Sequence, residues 1–199
     1  MFPIVVLSCL LTALASAACI DKVNNLVYVN DIKHPSLSVH LEGITVGTYD
    51  SQGRPVCEGD TAEIKLPGEI KILSGKIKVT GASDVSKLVG KFTLTKNAFL
   101  VGTACKEGEG KSSLFPKEYC KFDAMKVISE GLRNLLATPG EYDMETSKVD
   151  KTIKIQGVPH STDRVMKGDW QGDVDFVNGA KILTNVKFPI NMKWLYVEP

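Results

Sequence analysis

Three histidines, a Gly-Lys-Ser tripeptide and a set of spaced aspartates are the residues of this 199-residue chain whose types could do chemistry. A histidine works as a general base only beside a nucleophile within hydrogen-bond reach. His34 and His40 have no G-x-S-x-G elbow or H-E-x-x-H helix around them. His160, with Ser161 and Asp163, sits in a polar, turn-like segment. Gly110-Lys111-Ser112 matches the tail of a phosphate-cradling loop, but Cys105 stands where that loop needs its first glycine. Asp169, Asp173 and Asp175 alternate along a strand pattern, which predicts a shared wet face rather than the ligand order of a calcium loop. The expectation is therefore no catalytic residue, no metal site and no cofactor: the chain is not an enzyme.

The cysteines carry a different message. Ile4 to Leu14 is an uncharged apolar run followed by Ala15-Ser16-Ala17. Small residues there fit a signal-peptidase site, so residues 1–17 are expected to be a signal peptide. The run is shorter than the ~20 residues that a membrane-spanning helix needs. Cleavage removes Cys9 and leaves Cys19, Cys57, Cys105 and Cys120. An even number in an exported chain predicts two disulfides. No CxxC pair points to zinc. Cys105–Cys120 would close a Gly/Lys/Ser-rich loop and hold a helix against a strand; Cys19–Cys57 follows by elimination. The compartment is extracellular, with the lysosomal lumen as the alternative. A net charge of +1 gives no bulk attraction to nucleic acid.

The elements that must position any site are mostly strands. Leu37, Val39 and Leu41 alternate with Ser38 and His40, and Ile70 and Ile72 with Glu69 and Lys71. Phe92 and Leu94 alternate with Thr93 and Thr95; Trp170, Val174 and Phe176 oppose Asp169, Gln171, Asp173 and Asp175. Such period-two patterns predict antiparallel sheet with one wet face, on which Lys65, Lys71, Lys76 and Lys78 lie. Asn178-Gly179 marks a hairpin. A strict two-residue Asn-Gly loop would set Phe176 opposite Lys181, so the pattern predicts a bulged hairpin with a loop of three or five residues, and Ile182, Val186 and Phe188 on one face. One segment changes period. From Pro116, the residues Tyr119, Phe122, Met125, Ile128, Leu132 and Leu135 recur every three or four positions, predicting one amphipathic helix that ends at Pro139-Gly140. Many strands and one helix define a mainly β, two-sheet sandwich.

Phe92, Trp170, Phe176 and the helix stripe fit either a filled core or the lining of a lipid cavity; composition alone does not separate the two. The order of several short motifs resembles the ML lipid-recognition family, and within it the ganglioside activators. The motifs are Pro67-Gly68-Glu69-Ile70-Lys71-Ile72, Lys91-Phe92-Thr93-Leu94-Thr95-Lys96, Val101-Gly102-Thr103-Ala104-Cys105, Tyr119-Cys120, Pro139-Gly140-Glu141-Tyr142 and Gly168-Asp169-Trp170-Gln171. Together they span about Pro67 to Leu195. Asn185 or its neighbours occupy the place where that family has a closing-strand cysteine. The resemblance implies an immunoglobulin-like β-cup over residues 57–199, with the helix at its edge or entrance. Residues 18–56 would then be N-terminal strands or an extension, with 18–199 one globular unit.

It also implies a secreted, non-enzymatic protein that holds an acyl chain or glycolipid, touches membranes transiently and serves a partner hydrolase or receptor. On this reading Phe92, Leu94, Phe99, Phe122, Met125, Ile128, Leu132, Trp170 and Phe176 line the cup. Phe115, Tyr119 and Trp170 form a membrane-contact rim. The rival reading is a secreted sandwich that binds a protein receptor and has a filled core.

Overall fold

The computed structural model describes residues 18–82 and 84–199; the expected signal peptide lies outside them. Strand makes up 48% of the described residues against 13% helix, so sheet pairing builds the core. In chain order the strands are β1 (Leu26–Val29), β2 (Val39–Asp50), β3 (Cys57–Glu58), β4 (Thr61–Lys65), β5 (Gly68–Val79), β6 (Val89–Lys96), β7 (Thr103–Lys106), β8 (Glu109–Gly110) and β9 (Lys121–Asp123). They continue with β10 (Gly140–Asp143), β11 (Thr152–Ile155), β12 (Gly168–Asn178), β13 (Lys181–Phe188) and β14 (Leu195–Glu198). Among the described residues three short α-helices interrupt them: α1 (Ala124–Val127), α2 (Glu130–Ala137) and α3 (Asp163–Met166).

Two sheets pack face to face. The first runs β1-β2-β5, and β5 then pairs with β11 along one half and β10 along the other. The second is centred on β12, flanked by β6 on one side and by β13 and β14 on the other. Beyond β6 lie β9 and β7. Alternation does the sorting: Val27, Val29, Val39, Leu41, Val46 and Ile72 are buried between the sheets. Residues 18–56 are no appendage, because β2 lies between β1 and β5 in the middle of the first sheet.

The hairpin carries the expected bulge but not the expected loop. Gly179-Ala180 connect Asn178 to its partner Lys181, and the extra residue sits further in, at Phe176/Val177. Phe176 therefore faces Thr184, and Val174 faces Val186. Ile182, before the bulge, pairs with Val177 and stays 43% exposed, so it does not share the inner face of Val186 and Phe188.

The single helix expected from Pro116 is instead four elements. A 3-10 turn covers Lys117–Cys120, residues 121–123 pair with β6, and α1 and α2 follow. Ile128 breaks α1 from α2: its backbone is extended (ψ 142°) and bridges Ile153. Both helices are capped by side chains, Asp123 on Met125 N–H and Ser129 on Leu132 N–H. The apolar period was real, but any chain hugging one side of a core produces it when short turns and strands alternate.

Both disulfides form as expected, Cys19–Cys57 and Cys105–Cys120, each with Cα atoms 5.5 Å apart. Such bonds belong to an oxidising compartment. Among the described residues no helix is long and apolar enough to cross a membrane.

Candidate functional site

A cavity of about 710 Å³ separates the two sheets. Its wall is almost wholly aliphatic and aromatic. One long side is the inner face of the first sheet, including Val39, Leu41, Val46 and Ile72; the other is the inner face of β6, β12 and β13. Registers put the second wall in rows. Thr184, Phe176, Gly90 and Phe122 lie side by side across four strands, and Val186, Val174 and Phe92 form the next row. Gly90 is needed there: a Cβ would lie 2.1 Å from the Phe122 ring, which covers it. Phe122 in turn packs on Phe92 (centroids 5.0 Å) and edge-on to Phe176 (6.1 Å).

Apart from Thr184, the polar side chains of the wall cluster at two places. Glu118, Lys121, Asp123 and Lys126 come from the stretch around β9, and Lys154 and Gln156 from the end of β11. These two stretches belong to the outer strands of the two sheets and are joined by the bridge of Ile128 to Ile153. Past that bridge they form the lips of the cavity. Lys121 pairs with Glu109 at 2.6 Å and Lys126 with Asp123 at 3.8 Å. Lys154 makes no ion pair among the described residues.

Of the side chains that the sequence assigned to a cup, Phe92, Leu94, Phe122, Ile128, Leu132, Trp170 and Phe176 border this cavity. Met125 does not; it packs against the core beside it. Phe99 lies elsewhere, fully exposed next to Leu100 on the loop between β6 and β7. An apolar pair after a strand reads the same whether it ends in a core or on a loop tip. The rim assignment also changes. Tyr119 borders the cavity near a lip, but Phe115 and Trp170 are buried, at 3% and 5% exposure. Both also border the cavity, and they pack with tilted rings, centroids 5.4 Å apart, in a small core with Ala104 and the Cys105–Cys120 bond. The Trp170 indole N–H donates to the Met166 carbonyl at 2.7 Å. The exposed apolar side chains are instead Phe99, Leu100 and Leu114 among others.

Sequence reasoning passed over the aliphatic half of the wall and Thr184. Strand alternation marked Val39, Leu41, Val46 and Ile72 as inward, but inward-facing residues of a filled core look identical.

The remaining chemistry-bearing groups sit apart. The His40 ring bonds Asp31 at 3.1 Å, and Asp31 also accepts the Leu41 N–H, tying the preceding loop to β2. His160 bonds Asp163 at 3.1 Å on the surface. Neither histidine borders the cavity. Asp173 and Asp175 are in register with Lys187 and Lys91 on the outer face of the second sheet. Burial pushes the Asp173 carboxyl up. Burial also pushes the Lys96 ammonium down; it donates to the Val165 carbonyl at 2.6 Å and lies 5.4 Å from the Trp170 ring. Among the described residues no three His, Cys, Asp or Glu side chains gather as a cation site.

A scan of protein-family models finds no match to this chain, and a search of curated proteins finds none either.

Proposed function

We propose that this chain is an exported, non-enzymatic carrier that holds one lipid molecule between its two sheets. The observation that carries the proposal is the apolar cavity of about 710 Å³ with charged lips. A filled core would leave voids no larger than a few water molecules. Pockets for small apolar ligands run from roughly 300 to 1,000 Å³. An apolar cavity of ~150 Å³ holds one benzene, so at the same density this one holds about 28 heavy atoms. That is one long acyl chain with a small head, or a compact polycyclic lipid. A two-chain lipid would leave one chain outside. Each methylene moved from water into the cavity contributes about 0.8 kcal/mol.

The leader expected at residues 1–17 and the two disulfides support an exported or lysosomal carrier. The motif order that resembles the ML lipid-recognition family supports the same class. The exposed Phe99-Leu100 tip supports brief contact with a membrane from which the lipid is lifted.

The test is mass spectrometry of the organic extract of purified protein, followed by uptake of a fluorescent acyl lipid by the stripped protein. One lipid per chain is the expected result. A clean extract together with no uptake would refute the carrier and favour a receptor-binding sandwich.

A further inference from the structure

Thr184 is the polar wall residue that lies away from both lips. It is 6% exposed, and its hydroxyl is buried with no hydrogen-bond partner. The other buried orphan atoms, on Asn30, Arg133 and Asn185, belong to residues that do not border the cavity. Register places Thr184 three strands from Phe122 in a single row, which is about 14 Å at the usual strand spacing. It is thus at the far end from the lip that carries Phe122. Its neighbours in the row and beside it, Phe176 and Val186, are apolar, and valine would fill the same space. A hydroxyl left unpaired in such a place destabilises the empty protein.

We propose that Thr184 is the inner anchor of the ligand site: it hydrogen-bonds a neutral oxygen, hydroxyl or keto, on the end of the lipid that enters first. The inference rests on the carrier reading above. A hydroxyl both donates and accepts, so either oxygen type satisfies it. In the empty protein the hydroxyl oxygen does not face the open space; a turn about χ1 to another staggered well brings it to the cavity side in exchange for the methyl, at nearly constant volume. A carboxylate or phosphate is excluded from this end, because no cationic side chain borders the cavity there and a buried unpaired charge is costly. Charged heads belong at the lips, near Lys126 and Lys154.

The experiment uses stripped full-length protein and two series of probes, plain fatty acids and ω-hydroxy fatty acids of equal length, from ten to eighteen carbons. The wild type should bind the best-fitting hydroxy acid at least as tightly as its plain partner. Thr184→Val should weaken the hydroxy acid about 10-fold relative to its plain partner, the cost of an unpaired buried hydroxyl. Empty Thr184→Val should melt no lower than wild type. If wild type and variant reject the hydroxy acids by the same factor while binding plain acids, the carrier stands and the anchor falls. If Thr184→Val melts well below wild type, the hydroxyl has a partner within the protein and the anchor is likewise overturned. If no acid of either series binds the wild type, the carrier and the anchor fall together.

Discussion

Phe176→Ala separates an open cavity from a filled core. The Phe176 ring borders the cavity and packs edge-on against Phe122, centroids 6.1 Å apart. In a solid core Phe→Ala costs about 3–5 kcal/mol, part of it for the new void. Here the void already exists, so the removed ring adds to open space. What is lost is the ring–ring contact, about 0.5–1.5 kcal/mol, and packing against the strand beneath, for a total of about 2 kcal/mol. Ile77→Ala is the control. Ile77 is 2% exposed, belongs to the main core and does not border the cavity. Its truncation should cost about 3–4 kcal/mol although less is removed. At about 2–4 °C per kcal/mol for a chain of this size, thermal melts should fall by about 6 °C for Phe176→Ala and about 10 °C for Ile77→Ala. A saturating acyl lipid at 100 times its Kd should add about 2.7 kcal/mol to the wild type, and less to Phe176→Ala at the same concentration. If Phe176→Ala costs more than Ile77→Ala and lipid shifts neither melt, the sheets are closed on each other in solution and the cavity argument fails.

Other outcomes follow from single features. Replacing both Cys105 and Cys120 by alanine opens a 15-residue loop and should cost about 3 kcal/mol in denaturant melts; it should also speed lipid exchange, because Cys120 ends the turn that leads into the β9 lip, and unchanged exchange would separate the bond from the lip. Burial on β4 raises the Glu63 carboxyl above its ordinary 4.5, so the folded state holds that proton more tightly than the unfolded one. Stability from this group is therefore full below the ordinary value and is lost as pH rises through the raised one. The advantage of Glu63→Gln over wild type should grow as pH rises above 4.5, and a pH-independent difference would contradict the burial argument. Replacing Phe99 and Leu100 together by serine should leave stability within about 0.5 kcal/mol, since both are exposed. It should slow lipid pick-up from vesicles but not from detergent solution; equal rates from vesicles would move the membrane contact elsewhere.

Local pattern determined a good deal of this. Period-two alternation placed the inner and outer faces of β2, β5, β6 and β12, because each strand side chain points opposite to the last. The cysteine pairing was legible once the expected leader was set aside, since four thiols and a strand–loop–helix layout left few arrangements. The mainly β, two-sheet class followed from the number of such strands. The segment from Pro116 to Leu135 was not legible. Its apolar spacing suits a helix, yet residues 121–123 are held as strand by the backbone of β6, and Ile128 is held extended by Ile153. Those partners are distant in sequence, and propensity cannot register them. The hairpin bulge was required by same-face matching, but its position was set by the pairing of Phe176 with Thr184 across the sheet.

The cavity is the sharpest case. Sequence states which side chains face inward; it does not state whether two inward faces touch. That depends on how far apart the sheets stand between the bridge of Asn30 to Lys187 and that of Ile128 to Ile153. Phe99 lies exposed on a loop, whereas Trp170 lies in β12 and packs beside the Cys105–Cys120 bond; residue type alone does not separate the two. The sequence of this protein determined its strands, its faces and its cross-links through contacts between near neighbours and the chemistry of cysteine. Only the tertiary structure decided that the faces stand apart, because the width of a gap is a property of the whole sandwich and of no single strand.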